Sequence, residues 1–144
     1  MAIAFKQASV ITEIGAQSVL HSWFSTVASK LEDGNWGSRY PSVMTQLYQG
    51  KLPTAQAQAA LAELQDIRTK LSALPIETLV WDIENPNQAP PESHQRNPLA
   101  TSMVNYFLTV NGLDLTAEFI GNVESLLEFG EDLDIINVNL PPRR

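Results

Sequence analysis

The first part of the chain changes from alternating to helical hydrophobic spacing. Residues 2–6 and 9–14 carry β-branched and aromatic side chains in near alternation, which predicts two short strands. Over residues 18–34 the apolar side chains recur at steps of one, three or four, which predicts an amphipathic helix that ends near Gly34. A short helix over residues 43–48 follows the next loop.

The most regular spacing lies between Thr54 and Pro75. Six apolar residues are separated there by 4, 3, 3, 4 and 3 positions, which is the period of one helix face. Thr54 is the expected N-cap because its hydroxyl can accept a backbone N–H bond, and Pro75 is the expected end. Acids and bases alternate on the polar face, as is usual for a helix that faces water.

Beyond this helix the apolar residues form continuous runs. Residues 79–83 and 103–110 are predicted strands. Residues 84–98 lie between them and carry four prolines, which predicts a long loop that is either functional or mobile.

A further helix and a last strand complete the pattern. Thr116 is expected to cap a helix that ends at Gly130, and residues 134–140 are expected to form a strand before a tail over residues 141–144. This order of elements predicts the α+β class. We expect a single domain over residues 1–144, with helices packed on a small, mainly antiparallel sheet.

Charge is distributed unevenly along the chain. The formal net charge is −7, from 16 acidic and 9 basic residues. Residues 1–70 hold five acids and six bases, whereas residues 71–142 hold eleven acids and one base. Such a chain repels phosphates, so we expect no direct binding to nucleic acid. The acidic half is either a solvated face or a docking surface for a basic partner.

The chain contains no cysteine, which excludes disulfides, thiol nucleophiles and Cys-ligated metals. No signal-peptide pattern opens the sequence, and no apolar run approaches the roughly 20 residues of a membrane helix. We therefore expect a soluble, cytoplasmic protein that does not bind membranes.

Residues with catalytic potential are sparse. His21 and His94 are isolated, no phosphate-binding glycine loop is present, and we expect neither a metal nor a cofactor. On a strand, Asp82 and Glu84 would face the same side, as paired carboxylates do. Exposed acids at the end of a strand are the simpler interpretation of this pair.

Aromatic residues mark the loop before the short helix. Trp36 and Tyr40 flank Gly37 and Arg39 there. We expect Trp36 to clamp the loop onto the domain, and Arg39 to pair with an interior acid such as Asp82. A contact with a partner is the alternative role.

Short motifs recur along the chain, and the resemblance that they carry runs from about residue 2 to about residue 138. They are Ile14-Gly15, Leu20-His21-Ser22-Trp23-Phe24-Ser25-Thr26, Leu31-Glu32, Trp36-Gly37-Ser38-Arg39-Tyr40-Pro41, Leu47-Tyr48-Gln49-Gly50, Val80-Trp81-Asp82, Pro90-Pro91, Thr101-Ser102 and Tyr106-Phe107. Together they resemble the immunity protein 70 family, and the run from Trp36 to Pro41 is the most specific segment. The resemblance implies that the motif residues, including Trp36, Gly37, Arg39, Tyr40, Trp81 and Asp82, serve the fold.

The resemblance also implies a function. Such proteins are not enzymes, and they bind and neutralise the C-terminal toxin domain of a polymorphic toxin or contact-dependent growth inhibition system. The toxin domain is expected to be basic and a candidate nuclease. The contact residues that we predict all lie in the acidic half: Glu84, Glu92, Asp114, Glu118, Glu124, Glu128, Glu131, Asp132 and Asp134.

Two other functions stay open at this point. One is a small hydrolase-like enzyme that uses Asp82 and Glu84, together with Glu92 or His94. The other is a structural or adaptor protein that dimerises through an apolar helix face. The sequence does not decide the state of self-association.

Overall fold

The computed structural model describes residues 2–7, 9–91 and 97–138 of the 144-residue chain. Two strands come first, and helices and two further strands follow, with one π-helix and short 3-10 helices in the connections. The elements are β1 (Ala2–Gln7), β2 (Val10–Ala16), α1 (Gln17–Leu31), the π-helix (Ser42–Leu47), β3 (Lys51–Leu52), a 3-10 helix (Thr54–Gln56), α2 (Ala57–Leu71), two more 3-10 helices (Ile76–Thr78 and Met103–Asn105), α3 (Leu115–Phe129) and β4 (Leu133–Val138).

The strands form one antiparallel sheet in the order β2-β1-β4-β3. β1 and β2 form a hairpin, and β4 from the far end of the chain inserts on the other side of β1. The predicted α+β class with an antiparallel sheet is confirmed. β2 lies at one edge of the sheet. Among the described residues, no second strand pairs with its outer side.

Aromatic rings connect the sheet to α1 and α3. The ring of Phe119 on α3 lies 4.9 Å from the ring of Phe5 on β1 and 4.6 Å from that of Trp23 on α1. Trp23 also donates its indole N–H to the hydroxyl of Thr116, at 3.0 Å. A buried indole N–H needs such a partner, so Thr116 serves the core.

The predicted helix ends are partly wrong. Asp114, and not Thr116, is the N-cap of α3, where its carboxylate accepts the N–H of Ala117 at 3.2 Å. Thr54 does not cap α2, because its hydroxyl and its N–H are both directed to the segment that follows α3. Gly130 ends α3 as predicted, with a φ of +71° in the left-handed region.

Residues 79–83 do not form the predicted strand. The hydroxyls of Ser22 and Thr26 on α1 donate to the carbonyl of Val80 at 3.0 and 3.1 Å, and the Val80 N–H donates to Thr26 Oγ1 at 3.1 Å. Helix side chains thereby satisfy this buried backbone, so it needs no neighbouring strand. Trp81 is buried in the same segment.

Residues 103–110 also differ from the prediction. Met103–Asn105 is a 3-10 helix, and the Ser102 hydroxyl accepts the Val104 N–H at its start, at 3.3 Å. β character here is limited to isolated bridges at Phe107 and Leu108, and Leu108 pairs with Asp114. Local capping by Ser102 therefore overrides the apolar run.

The loop between α1 and the π-helix is held by one buried carboxylate. Glu32, only 3% exposed, accepts the N–H groups of Gly37 at 3.1 Å, Arg39 at 2.9 Å and Tyr40 at 3.0 Å. These donors offset the cost of removing a charged group from water. Gly37 has a φ of +80°, and a Cβ there would lie 2.8 Å from Thr45 Cγ2, so only glycine fits.

Two acidic residues of α2 accept hydrogen bonds from the end of this loop and from the start of the π-helix. Glu63 accepts the N–H groups of Ser42 at 3.2 Å and Val43 at 3.0 Å, which satisfies donors at the start of the π-helix. The hydroxyl of Tyr40 donates to Asp66 at 2.6 Å. The loop is thus tied to α2 as well as to α1.

Trp36 covers this loop. Its indole N–H donates to the carbonyl of Met44 at 2.6 Å, and its ring lies 4.7 Å from that of Tyr48 and 6.2 Å from that of Phe24. These contacts give Trp36 the clamping position that the sequence predicts.

We expect Glu32→Gln to lower the free energy of unfolding by about 2 kcal/mol, because an amide has one acceptor oxygen and its NH₂ group would face a backbone donor. Urea denaturation followed by circular dichroism measures this change. Glu77→Gln, at an exposed position, is the matched control and should change stability by less than about 0.5 kcal/mol. Equal effects of the two substitutions would contradict the role of Glu32.

Candidate functional site

Most of the predicted acidic contact residues lie on or next to α3. Glu118, Glu124 and Glu128 are on α3, Glu131 follows it, and only Glu118 of these four is partly buried. Within the described residues, none of their carboxylates makes an ion pair. We call these four residues the α3 acidic surface.

Asp132 and Asp134 carry charge that is partly neutralised. Lys51 Nζ lies 3.8 Å from Asp132 and 3.9 Å from Asp134. Asp132 also accepts the N–H and the hydroxyl of Thr54, both at 3.0 Å, and these bonds lower the pKa of its carboxyl. Asp132 therefore connects the start of β4 with β3 and with the 3-10 helix before α2, whereas Asp134 connects β4 with β3 only.

Asp114 has a structural task as the N-cap of α3. Partial burial raises the pKa of its carboxyl, and the bonds from the Ala117 and Thr116 N–H groups oppose this effect only in part. Its charge is therefore less available to a partner than the charges of the α3 acidic surface.

The remaining two predicted contact residues do not join this surface. Glu84 is exposed in the turn after Asp82, and its N–H donates to Asp82 Oδ1 at 3.0 Å. Its charge contributes to the raised pKa of the Tyr48 hydroxyl. Glu92 lies outside the described residues.

Three acids of the first half are used internally. Glu32, Glu63 and Asp66 all accept hydrogen bonds from the loop and from the start of the π-helix. These three carboxylates of the near-neutral half therefore bind donors of the fold itself, and Glu32 is the buried one among them, whereas Glu124, Glu128 and Glu131 are exposed.

The sequence analysis missed a polar cluster of His21, Tyr48 and Asp82. His21 Nε2 lies 3.1 Å from Asp82 Oδ1, and His21 Nδ1 lies 3.0 Å from the hydroxyl oxygen of Tyr48. These partners are 61 and 27 positions away from His21, so no local spacing indicates the cluster. The predicted pairing of Arg39 with Asp82 is wrong, because the loop fixed by Glu32 leaves Arg39 exposed.

Asp82 and Glu84 lack the properties of a paired-carboxylate catalytic site. They lie in a turn and not on a strand. The N–H of Glu84 and the side chain of His21 lower the pKa of Asp82, so Asp82 does not have the raised pKa of a general acid. Burial raises the pKa of Tyr48, and the charges of Glu84 and Asp82 act in the same direction, so its hydroxyl stays protonated.

In residues 2–7, 9–91 and 97–138, no group of three or more His, Asp or Glu side chains is placed to hold a metal ion. None of the helices in these ranges combines the length and the hydrophobicity that crossing a membrane requires.

A comparison with protein-family models identifies the family of this chain. The family model described as Immunity protein 70 matches residues 5–135, nearly the whole chain. The chain belongs to the immunity protein 70 family. Membership indicates an immunity protein for a polymorphic toxin, with the role of a non-enzymatic inhibitor. No curated protein and no solved structure matches the chain significantly.

The motifs of this immunity protein 70 chain can be assigned to the structure. Trp36, Gly37, Arg39 and Tyr40 all lie in the loop that Glu32 holds, while Asp82 contacts His21. The run from Trp36 to Tyr40 therefore coincides with the loop that hydrogen-bonds to Glu32.

Asp114 allows a test of its cap. We expect Asp114→Ala to lower the free energy of unfolding by about 1 kcal/mol, because the Ala117 N–H loses its acceptor. Asp114→Asn keeps an acceptor and removes a half-buried charge, so it should retain wild-type stability at pH 7 within about 0.5 kcal/mol. Urea denaturation of both variants measures the difference, and similar losses in both would exclude the capping role.

The pKa of Asp82 predicts a pH dependence. Because the folded state lowers this pKa below 3.8, the ionised carboxylate stabilises the protein above that pH, and the contribution disappears as the pH falls through the folded-state value. The melting temperature of wild type should therefore exceed that of Asp82→Asn near pH 6, and the gap should narrow below about pH 4.

Melting curves recorded by circular dichroism across this pH range give the comparison. Glu84→Gln, at the exposed neighbouring position, is the control. A gap for Asp82→Asn that is constant with pH would contradict this prediction.

Proposed function

We propose that this protein binds the C-terminal domain of its cognate toxin and neutralises it by covering its functional surface. The match of the immunity protein 70 family over residues 5–135 carries the proposal. Inhibition of this kind needs shape and charge complementarity and no catalytic residue. The protein acts in the cytoplasm, where a delivered toxin domain meets its targets.

The proposed toxin is a basic nuclease of a contact-dependent growth inhibition or related polymorphic toxin system. A nuclease holds phosphates with Lys and Arg, so its active surface is positive. The α3 acidic surface and the net charge of −7 complement such a partner. Complementary charges accelerate encounter and disfavour acidic partners.

The proposed contact surface is modest in size. The protein exposes 7777 Å² in total, and a standard interface of roughly 800 Å² on one partner would use about a tenth of it. A surface centred on α3 would leave the Glu32 loop and the His21 cluster free to stabilise the fold.

The direct experiment is a pull-down with the protein encoded immediately upstream of this chain. We expect a stable complex in which the toxin activity is lost. Absence of binding, or an upstream protein without toxin activity, would refute the proposed function.

Charge reversal tests the surface. Glu124→Lys and Glu128→Lys should each slow association with the toxin several-fold at low salt, up to about tenfold, because they remove electrostatic steering. The effect should decrease at high salt. Stopped-flow kinetics measures the rate, and Glu77→Lys is the matched control on a different exposed segment.

If Glu77→Lys slows association equally, the net charge of the protein controls the association rate, and the α3 acidic surface has no special role. A larger effect of a substitution in the near-neutral half, such as Arg68→Glu, would show that the toxin binds another face of the protein and not the α3 acidic surface.

A further inference from the structure

A groove lies between α3 and the β1–β2 hairpin, next to the α3 acidic surface. We call it the hairpin groove, and it has a volume of about 390 Å³. Its lining residues are Gln7, Val10, Asn122, Ser125, Phe129 and Glu131. One of them, Glu131, belongs to the α3 acidic surface, and none is basic.

Two apolar side chains that lie outside the hydrophobic core line the walls of the groove. Val10 is 62% exposed and Phe129 is 69% exposed, although both are large and hydrophobic. The buried face of α3 is already complete without Phe129, since Phe119, Val123 and Leu126 fill it. An exposed aromatic ring beside a cleft is typical of a protein-binding site.

The floor of the groove is fixed in position. The side-chain amide of Gln7 donates to the carbonyls of Asn122 and Glu131, both at 3.1 Å. The Asn122 amide in turn donates to the carbonyl of Glu118 at 2.7 Å. These hydrogen bonds fix the distance between the hairpin and α3. The cleft is therefore already formed before a partner binds.

Val10 places one wall of the groove on an edge strand of the sheet. β2 is an edge strand, and the only described backbone bond to its outer side reaches the Ile14 carbonyl from Val110, at 2.7 Å. Val10 and Ile11 precede that bond and are both exposed. β2 contains neither Lys nor Pro, the residues that commonly protect such an edge from pairing.

Charge identifies the occupant. Glu118, Asn122, Ser125 and Phe129 follow one another at helical spacings of four, three and four positions, so a carboxylate lies on the same stripe of α3 as the groove residues. Glu131 supplies a second carboxylate at the groove itself. A second copy of this chain is a poor occupant, because a two-fold contact would bring two α3 acidic surfaces together.

We infer that the hairpin groove receives an apolar side chain of the basic toxin domain, flanked by Lys or Arg residues that pair with Glu118 and Glu131. Phe129 and Val10 are the anchors of this contact, and the carboxylates guide the approach. This inference rests on the proposed function and adds the location and the chemistry of the contact.

Binding of the upstream-encoded toxin domain to single-site variants tests the inference by surface plasmon resonance. Phe129→Ala should weaken binding by about 30-fold or more, as truncation of an aromatic anchor does, chiefly through faster dissociation. Val10→Thr, on the opposite wall, should act in the same direction. Leu127→Ala is the control, since Leu127 is exposed on another side of α3, and it should weaken binding less than about threefold.

A charge variant separates steering from anchoring. Glu131→Gln should slow association at low salt and lose this effect at high salt, whereas the effect of Phe129→Ala should persist at both. Because Phe129 and Val10 are exposed, both variants should melt near the wild-type temperature. If Phe129→Ala unfolds, Val10→Thr alone decides the test.

The outcomes distinguish the inference from the proposed function. Wild type that binds the toxin together with groove variants that behave like Leu127→Ala would overturn the inference and leave the function intact. Wild type that does not bind would overturn both. A wild-type dimer that Phe129→Ala dissociates, with toxin binding unchanged, would assign the groove to a second copy and overturn the inference.

Discussion

The structure depends on the carboxylate of Glu32, which is removed from water and compensated by three backbone N–H groups. This one acceptor sets the path of the chain after α1 and brings Tyr40 to α2, where it donates to Asp66. Glu63 then orders the start of the π-helix. The π-helix leads to Tyr48, whose hydroxyl lies 3.0 Å from His21 on α1. A single buried charge therefore coordinates α1, the loop, α2 and the π-helix.

Acidic residues in this protein have two opposite uses, and their environment decides between them. Glu32, Glu63 and Asp66 accept hydrogen bonds from N–H and O–H donors of the fold, and Glu32 is buried whereas Asp66 is partly exposed. Glu124 and Glu128 lie on the water-facing side of α3, where no described base pairs with them. A carboxylate that is hydrogen-bonded within the fold is less able to attract a partner. The steering role is therefore assigned to the carboxylates of α3.

Elements with an uninterrupted period could be predicted, and segments governed by distant side chains could not. α1 and α3 follow their hydrophobic spacing closely. The strand predicted around Val80 is replaced because hydroxyls from α1, more than 50 positions away, satisfy its backbone. Thr54 and Thr116 show the same limit: a threonine hydroxyl suits a helix cap, and in both cases a remote group takes it instead.

The sequence by itself determined the fold class and the concentration of acids in the second half, because periodicity and composition are local properties, and its short motifs carried the family resemblance. Only the tertiary structure decided which acids face outward and which residues meet. Gln7 contacts Asn122 across 115 positions because β4 inserts beside β1 and brings the end of α3 to the hairpin. The hairpin groove and the His21 cluster both arise from such long-range pairing, which leaves no periodic signal in the chain.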